Sequence, residues 1–246
     1  MGATPKSYSQ LGQDLITLDF FRFSPPARRI FLDVGAFDGV GFSNSRLLFE
    51  HGWSGVCVEP VLKNYKKLEK LYEHTNVVTV RAAASDYKGE MTLNVATVPW
   101  ATEWGSDVSS PADDVIERWP DYLWEKESVT ATTVDDILQT HNIPHVDFVS
   151  IDVEGNEMAV LRGFDLRKYD PRLLVVEYSS PDEQRELLRF MELQGYVSWV
   201  DNGQDVFFVR PAALKNWKIL FYGLYQKIKC SRPARYAVRL ARRVRR

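Results

Sequence analysis

The sequence predicts an α/β fold with a mostly parallel sheet and helices on both faces. Three observations carry this. Short apolar runs bounded by Gly or Pro read as buried strands, and stretches with apolar residues at helical spacing read as helices. The two kinds alternate from residue 29 to residue 210. A chain of 246 residues with 45% hydrophobic and 13% aromatic content can also bury one large core or two small ones.

"RIFLDVG" (29–35) is a buried strand ending at Gly35, and "GFSNSRLLFEHG" (41–52) is the following helix. "SGVCVEP" (54–60) is a second strand, stopped by Pro60. Leu62, Tyr65, Leu68 and Leu71 set a helix in "LKNYKKLEKLYE" (62–73). "NVVTVRAAA" (76–84) is a third strand, and "GEMTLNVAT" (89–97) alternates as an antiparallel one does. Thr133 is the N-cap expected for a short helix in "TVDDILQTH" (133–141). "VDFVSID" (146–152) and "RLLVVEY" (172–178) are buried strands. A helix containing "DEQRELLRFMELQG" (182–195) precedes "YVSWV" (196–200), and "DVFFVR" (205–210) closes the body.

Residues 98–129 break the rhythm. They hold Trp100, Trp104, Trp119 and Trp124, four of the chain's seven tryptophans, amid Pro, Ser and Asp. A long irregular insertion in a compact domain is functional or disordered, and this aromatic mass argues against disorder. It is either a flap with its own small core or, the reading preferred here, a lid over an acceptor.

The net charge of −2 hides a division. Residues 215–246 contain eleven Lys/Arg and no Asp/Glu, so removing +11 leaves −13 for residues 1–214. An acidic body with a basic tail implies an anionic partner for the tail. Trp217, Leu220, Phe221, Leu224 and Ile228 fall on one helical face, and six arginines follow in "RYAVRLARRVRR" (235–246). That pattern suits a segment lying in the headgroup plane of an anionic membrane. The rival is a last helix docked on the body. No apolar run is long enough to span a bilayer, no secretory signal is visible, and Cys57 and Cys230 are too far apart in sequence to suggest a disulfide framework. A cytoplasmic protein is expected.

In parallel sheets the ligand lies beyond the C-terminal strand ends. The first turn, "LDVGAFDGVGFSNS" (32–45), should therefore hold the cofactor. Gly35, Gly39 and Gly41 allow close backbone approach, but their G-x-x-x-G-x-G spacing is not that of dinucleotide binders. Asp33 and Asp38 would repel a pyrophosphate at the helix N-terminus, and they suit a ligand carrying an ammonium and a sulfonium. Glu59, ending the second strand, is placed to accept two ribose hydroxyls. Together the three favour S-adenosylmethionine.

"FLDVGAFDGVGFSNS…WSGVCVEP", "AAASDYKGEMTLN", "TATTVDDIL" and "VSIDVEGNEMAVLRGF", in this order, resemble the FkbM family of S-adenosylmethionine-dependent methyltransferases. The upstream "YSQLGQD" (8–14) is similar to an element that often precedes the fold in this family. The resemblance covers residues 8–210. It implies the Rossmann-like class I methyltransferase fold with a seven-stranded, mostly parallel sheet, and O-methylation of a sugar or polyketide hydroxyl. By position, Gly35 and Asp38 would line the methionine end, Glu59 would hold the ribose, and Ser85 and Asp86 would sit by the adenine.

The same resemblance places Asp152 at the end of the fourth strand, beside the first, facing the transferred methyl. Glu154 lies two residues on and shares that face if the chain stays extended. A sugar hydroxyl is a poor nucleophile until its proton has somewhere to go. Asp152 or Glu154 can take it, or the pair can hold a divalent cation such as Mg2+ with Glu177 as third oxygen ligand. Glu157 is the residue best explained by capping the next helix. His141 and His145 are rival bases, each more readily explained as structural.

The expected organisation is an N-terminal segment (1–28), a methyltransferase domain (29–213) with the 98–129 insertion, and the basic tail (214–246). The expected function is methyl transfer to a sugar hydroxyl in a glycan or lipid-linked glycan. Two alternatives stand beside it. One is O-methylation of a diffusible polyketide or macrolide. The other, of a different class, is nucleic-acid binding through the tail. The acidic body speaks against nucleic acid, as does the lack of lysines around residues 152–157, which the Lys-Asp-Lys-Glu set of ribose methyltransferases has. A non-catalytic scaffold is disfavoured by Asp33, Glu59 and Asp152.

Overall fold

The structure, a computed structural model, describes residues 6–26, 28–97, 108–111, 114–118 and 120–229. Trp100, Trp104, Trp119, the tail beyond Lys229 and the Ile228 side chain, all singled out above, lie outside what is described.

In chain order the elements are α1 (Gln13–Phe23), β1 (Ile30–Val34), α2 (Arg46–Glu50), β2 (Ser54–Val58), α3 (Leu62–Tyr72), β3 (Val77–Val80), β4 (Ala83–Ala84) and β5 (Gly89–Thr97). After them come β6 (Ser109–Ser110), α4 (Asp114–Arg118), β7 (Leu123–Thr132), α5 (Val134–Thr140), β8 (Phe148–Ile151), α6 (Glu157–Arg162) and α7 (Leu166–Tyr169). β9 (Leu173–Glu177), α8 (Pro181–Leu193), β10 (Val197–Asp201), β11 (Asp205–Val209), a 3₁₀ turn (Pro211–Lys215) and α9 (Trp217–Lys229) complete the described chain.

The main sheet has seven strands in the order β10-β11-β9-β8-β1-β2-β3. All neighbours are parallel except β11, which runs antiparallel to both β9 and β10. This is the seven-stranded, mostly parallel arrangement expected. Period-2 alternation divides each strand between two cores. Leu32, Val34, Val149, Ile151, Leu174 and Val176 pack against Ile137, Leu138, Val160, Leu161, Leu187 and Met191 of α5, α6 and α8. Phe31, Phe148, Leu173 and Val175 face the other way, onto Ile16, Phe20, Leu48, Leu68 and Ile219 of α1, α2, α3 and α9. Helices therefore cover both faces. Thr133 caps α5 as expected, its Oγ1 accepting from the Asp136 N–H at 3.1 Å.

Three local expectations change. The helix expected over 41–52 is confined to Arg46–Glu50, because Gly41–Ser45 forms the loop that enters it. The strand expected over 76–84 divides, since Ala83–Ala84 leaves the main sheet to pair in parallel with β7. The 98–129 insertion is not irregular throughout. Its end is β7, antiparallel to the whole of β5 in a second sheet of order β4-β7-β5-β6. Glu125, Lys126 and Glu127 disguise that strand in the sequence, because half of its positions are exposed and only Val129 and Ala131 are buried. Trp124 packs with Ala96, Val108 and Val115 in a small separate core, as a flap with its own core would.

Candidate active site

A cavity of about 620 Å³ opens at the C-terminal ends of β1, β2, β8 and β9. This is the crevice where parallel sheets place their ligands, and its size is ordinary for a cofactor with a small acceptor.

Gly35 turns the chain out of β1 at φ +85°, its N–H bonded to Val58 O at 2.9 Å. A Cβ there would lie 1.7 Å from the Asp152 carbonyl oxygen, so β1 and β8 approach this closely only around a glycine. Glu59 follows β2 and is buried. Its Oε2 accepts from the Phe37 N–H at 3.0 Å and its Oε1 from the Val61 N–H at 2.9 Å. Oε1 also accepts from Asn64 Nδ2 at 3.4 Å, so it is Oε2 that has lone-pair capacity left for a further donor from the cavity, such as a ribose hydroxyl. Asp33 is buried near the end of β1, accepting from the Ser45 hydroxyl at 2.5 Å, and also lines the cavity.

Asp38, Ser85 and Asp86, expected at the cofactor, are not among the residues that line the cavity. Asp38 Oδ1 accepts from the N–H groups of Val40 and Gly41, so the carboxylate shapes its own turn. Ser85 donates its N–H to Thr132 O and lies under α6, where a Cβ on Gly163 would stand 2.0 Å from Ser85 O. Ala82, Ala83, Ala84, Met91 and Leu93 form the wall there instead.

Asp152, Glu154 and Glu177 come together. One carboxylate oxygen from each lies within 4.8 Å of the other two. The Asp152 N–H is tied to Val34 O at 3.0 Å. The expected extended chain is not what brings Glu154 in. Glu154 sits at φ +57° and Gly155 at φ +106°, a left-handed bend held by Glu157, whose Oε1 accepts from the N–H groups of Val153 and Gly155 at 3.1 Å. A non-glycine residue in this region costs on the order of 1 kcal/mol or more, and such strain concentrates at functional sites. Glu157 thus has a structural role, but on the bend before α6 rather than as the helix cap expected.

Further lining residues come from the N-terminal element, whose reach into the cavity was not foreseen, and from the first turn and the insertion, whose part was. Asp14 gathers the Ser7 and Ser9 hydroxyls and the Tyr8 N–H, each at 2.7 Å, which folds the "YSQLGQD" element against the sheet. Gln10 and Gln13 thereby reach the cavity, and Gln13 Nε2 donates to Asp205 Oδ2 at 2.8 Å. Asn44, bonded to Ser150 Oγ at 3.0 Å, lines it too. The motif was visible in the sequence, but its contact with Asp205 spans the whole fold. Val108, Ser109, Pro111 and Tyr122 bring the described part of the insertion onto the same cavity. His141 and His145 do not line it. His145 pairs with Asp147 at 3.1 Å, at the entry to β8.

Burial pushes Asp33 up to about 6 and Glu59 up to about 8. Burial, then the Glu154 carboxylate, holds Asp152 well above the carboxylate range, and burial with Asp152 pushes Glu177 up to about 12. These folded-state values exceed the unfolded ones, so their stabilising contribution is complete at low pH and is lost as pH rises through them. In ligand-free protein, Tm is expected to rise when pH falls from 8 to 5, Glu59 contributing below about 8 and Asp33 only below about 6. The slope is about 1.4 kcal/mol per pH unit for each group within its range. Thermal melts at constant ionic strength check this, and a flat or opposite trend refutes it.

A sequence profile of the methyltransferase FkbM domain matches residues 33–198, about two thirds of the chain. No curated protein matches it in sequence. Among solved structures, the METTL16 MTase domain is similar at 12% identity and TM-score 0.47, covering 84% of this chain and 68% of that one. Precorrin-6y C5,15-methyltransferase from Geobacter metallireducens GS-15 is similar at 14% identity and TM-score 0.41, over 84% and 91% of the two chains. A human methyltransferase 10 domain containing protein gives 11% and 0.42, over 84% and 82%. At such identities the acceptors of those proteins do not transfer to this chain.

Proposed function

The chain belongs to the FkbM family of S-adenosylmethionine-dependent methyltransferases, and from that premise we propose that it O-methylates a sugar hydroxyl of a glycan or lipid-linked glycan in the cytoplasm. The observation that carries the reading is the Asp152–Glu154–Glu177 group, lining the same cavity as Glu59 and the Gly35 turn. In this reading Glu59 takes the ribose hydroxyls, Gly35 and Asp33 flank the methionine end, and Ala82–Ala84 face the adenine. Asp38 contributes by shaping the turn. The described part of the 98–129 insertion closes the acceptor side as a lid.

When bound, S-adenosylmethionine supplies a sulfonium methyl to the hydroxyl oxygen, and the C–S bond electrons pass to sulfur. The chain has to position the hydroxyl and remove its proton. In this reading Asp152 or Glu154 takes that proton, and the Asp152 carboxylate, raised by burial and by Glu154, is when ionised a stronger base than an ordinary one. A second reading has support in the Glu177 Oε2 atom, buried without a hydrogen-bond partner beside two other carboxylates. Such a trio suits a hard divalent cation such as Mg2+, which would acidify the hydroxyl.

Calorimetry tests the cofactor side. S-adenosylhomocysteine is expected to bind and NAD is not, and Glu59→Ala should weaken binding about tenfold or more through lost charge-assisted hydrogen bonds. Ordinary NAD affinity, or unchanged binding in the variant, overturns the assignment. Mass spectrometry of the source organism's surface glycans, with and without the gene, tests the acceptor.

A further inference from the structure

α9 has two faces of opposite character. Ile219, Tyr222, Gly223 and Gln226 lie towards the body. Trp199 Nε1 donates to Ile219 O at 2.9 Å, the Trp199 and Tyr222 rings stack, and Tyr222 OH donates to Asp19 Oδ2 at 2.8 Å. Gly223 is required there, because a Cβ would stand 2.2 Å from Trp199 Nε1. The docked-helix alternative therefore holds for this face.

The other face is apolar and open. Trp217 is 64% exposed, Phe221 62% and Tyr225 59%, with Leu220 and Leu224 between them. At 3.6 residues per turn these five occupy one contiguous stripe, opposite the docked residues. Lys218, Lys227 and Lys229 are exposed along its margins. Isolated exposed apolar residues need no explanation, but five in one stripe on a docked and therefore ordered helix do.

We propose that this face of α9 lies on an anionic lipid surface, with the aromatic and leucine side chains in the headgroup region and the basic residues against the lipid charge. Charge complementarity selects this occupant. The chain has no Asp or Glu after Asp205, and the seventeen residues beyond Lys229 add seven arginines. A second copy would set two such cationic segments against each other. A nucleic acid would leave the leucines without a partner, since bases stack on aromatic rings and arginine planes. Lys and Arg stems cover apolar surface while their charges reach outward, which suits the margins of a stripe lying in a membrane plane. The inference does not depend on the acceptor, because its readout is partitioning.

The full chain is co-sedimented with phosphatidylcholine vesicles and with vesicles also containing phosphatidylglycerol, at low and high salt. The bound fraction should rise with phosphatidylglycerol, fall with salt, and carry a blue shift of tryptophan emission. The full-length double variant Phe221→Ser with Leu224→Ser should partition about tenfold more weakly while binding S-adenosylhomocysteine as before. Three results overturn the proposal: equal binding to neutral vesicles, unchanged partitioning of the variant, or retention of the protein by an RNA oligonucleotide in preference to anionic vesicles. Self-association that disappears in the variant, without vesicle binding, assigns the stripe to a second copy instead.

Discussion

Gly35→Ala is expected to abolish S-adenosylhomocysteine binding and to destabilise the chain by several times the ordinary cost of a left-handed alanine, which is about 1–2 kcal/mol. The added Cβ would meet Asp152 O at 1.7 Å and its carbonyl carbon at 2.8 Å. Both are backbone atoms, so no rotamer change relieves the overlap. Separating the strands instead would break the Asp152 N–H to Val34 O bond that sets the floor of the cavity. Gly12→Ala separates the two causes, because Gly12 has nearly the same φ, +83°, and nothing within 4 Å of its notional Cβ. Thermal melts and calorimetry on both variants measure the difference. If Gly35→Ala behaves like Gly12→Ala, the close approach of β1 and β8 does not build the site.

Neutralising the carboxylates proposed for the acceptor side, Asp152 and Glu154, should have the largest effect on turnover. Glu154→Gln is expected to lower kcat by about 10²-fold or more, the range of a lost general base, with S-adenosylhomocysteine affinity nearly unchanged. Asp152→Asn should impair both, because Asp152 stands between the cofactor turn and the acceptor carboxylates. The pH profile adds a readout that a merely structural role would not move. Burial and the neighbouring carboxylates hold Asp152 and Glu177 well above the usual carboxylate range, so the acid limb of kcat/KM should lie above that range and not near pH 4. Chelation that abolishes activity, restored by magnesium together with a rise in Tm, favours the cation reading over the simple base. Full activity in both variants would leave the three carboxylates as an ordinary charged strand end.

Much of the architecture was legible in the sequence because burial leaves a local trace. β1, β2, β8, β9 and β11 are covered on both faces, so each reads as a mostly apolar run, broken inside only by residues such as Asp33 and Ser150 that face the site. Glu59 could be placed because a carboxylate directly after such a run must stand at the strand's C-terminal end. Gly35 could be placed because the turn there needs a glycine. α9 was legible from spacing alone, and its exposed stripe contains four of the five residues read as one face: Trp217, Leu220, Phe221 and Leu224.

Tertiary structure decided what depends on a distant partner. β7 carries Glu125 and Lys126 to solvent and is a strand because β5 hydrogen-bonds along it, so its own residues do not announce it. Ser85, directly after the cavity-lining Ala84, is not a lining residue, and the end of α6 closes over it at Gly163. Glu154 joins Asp152 through a left-handed bend held by Glu157, a backbone state that residue spacing does not encode. Glu177 joins them only because β9 pairs with β8, and Gln13 meets Asp205 only because α1 packs where β11 begins. Local pattern reports whether a segment is buried and with what period. Which carboxylates share a cavity is set by strand order and chain crossovers, and these follow from the packing of the whole core.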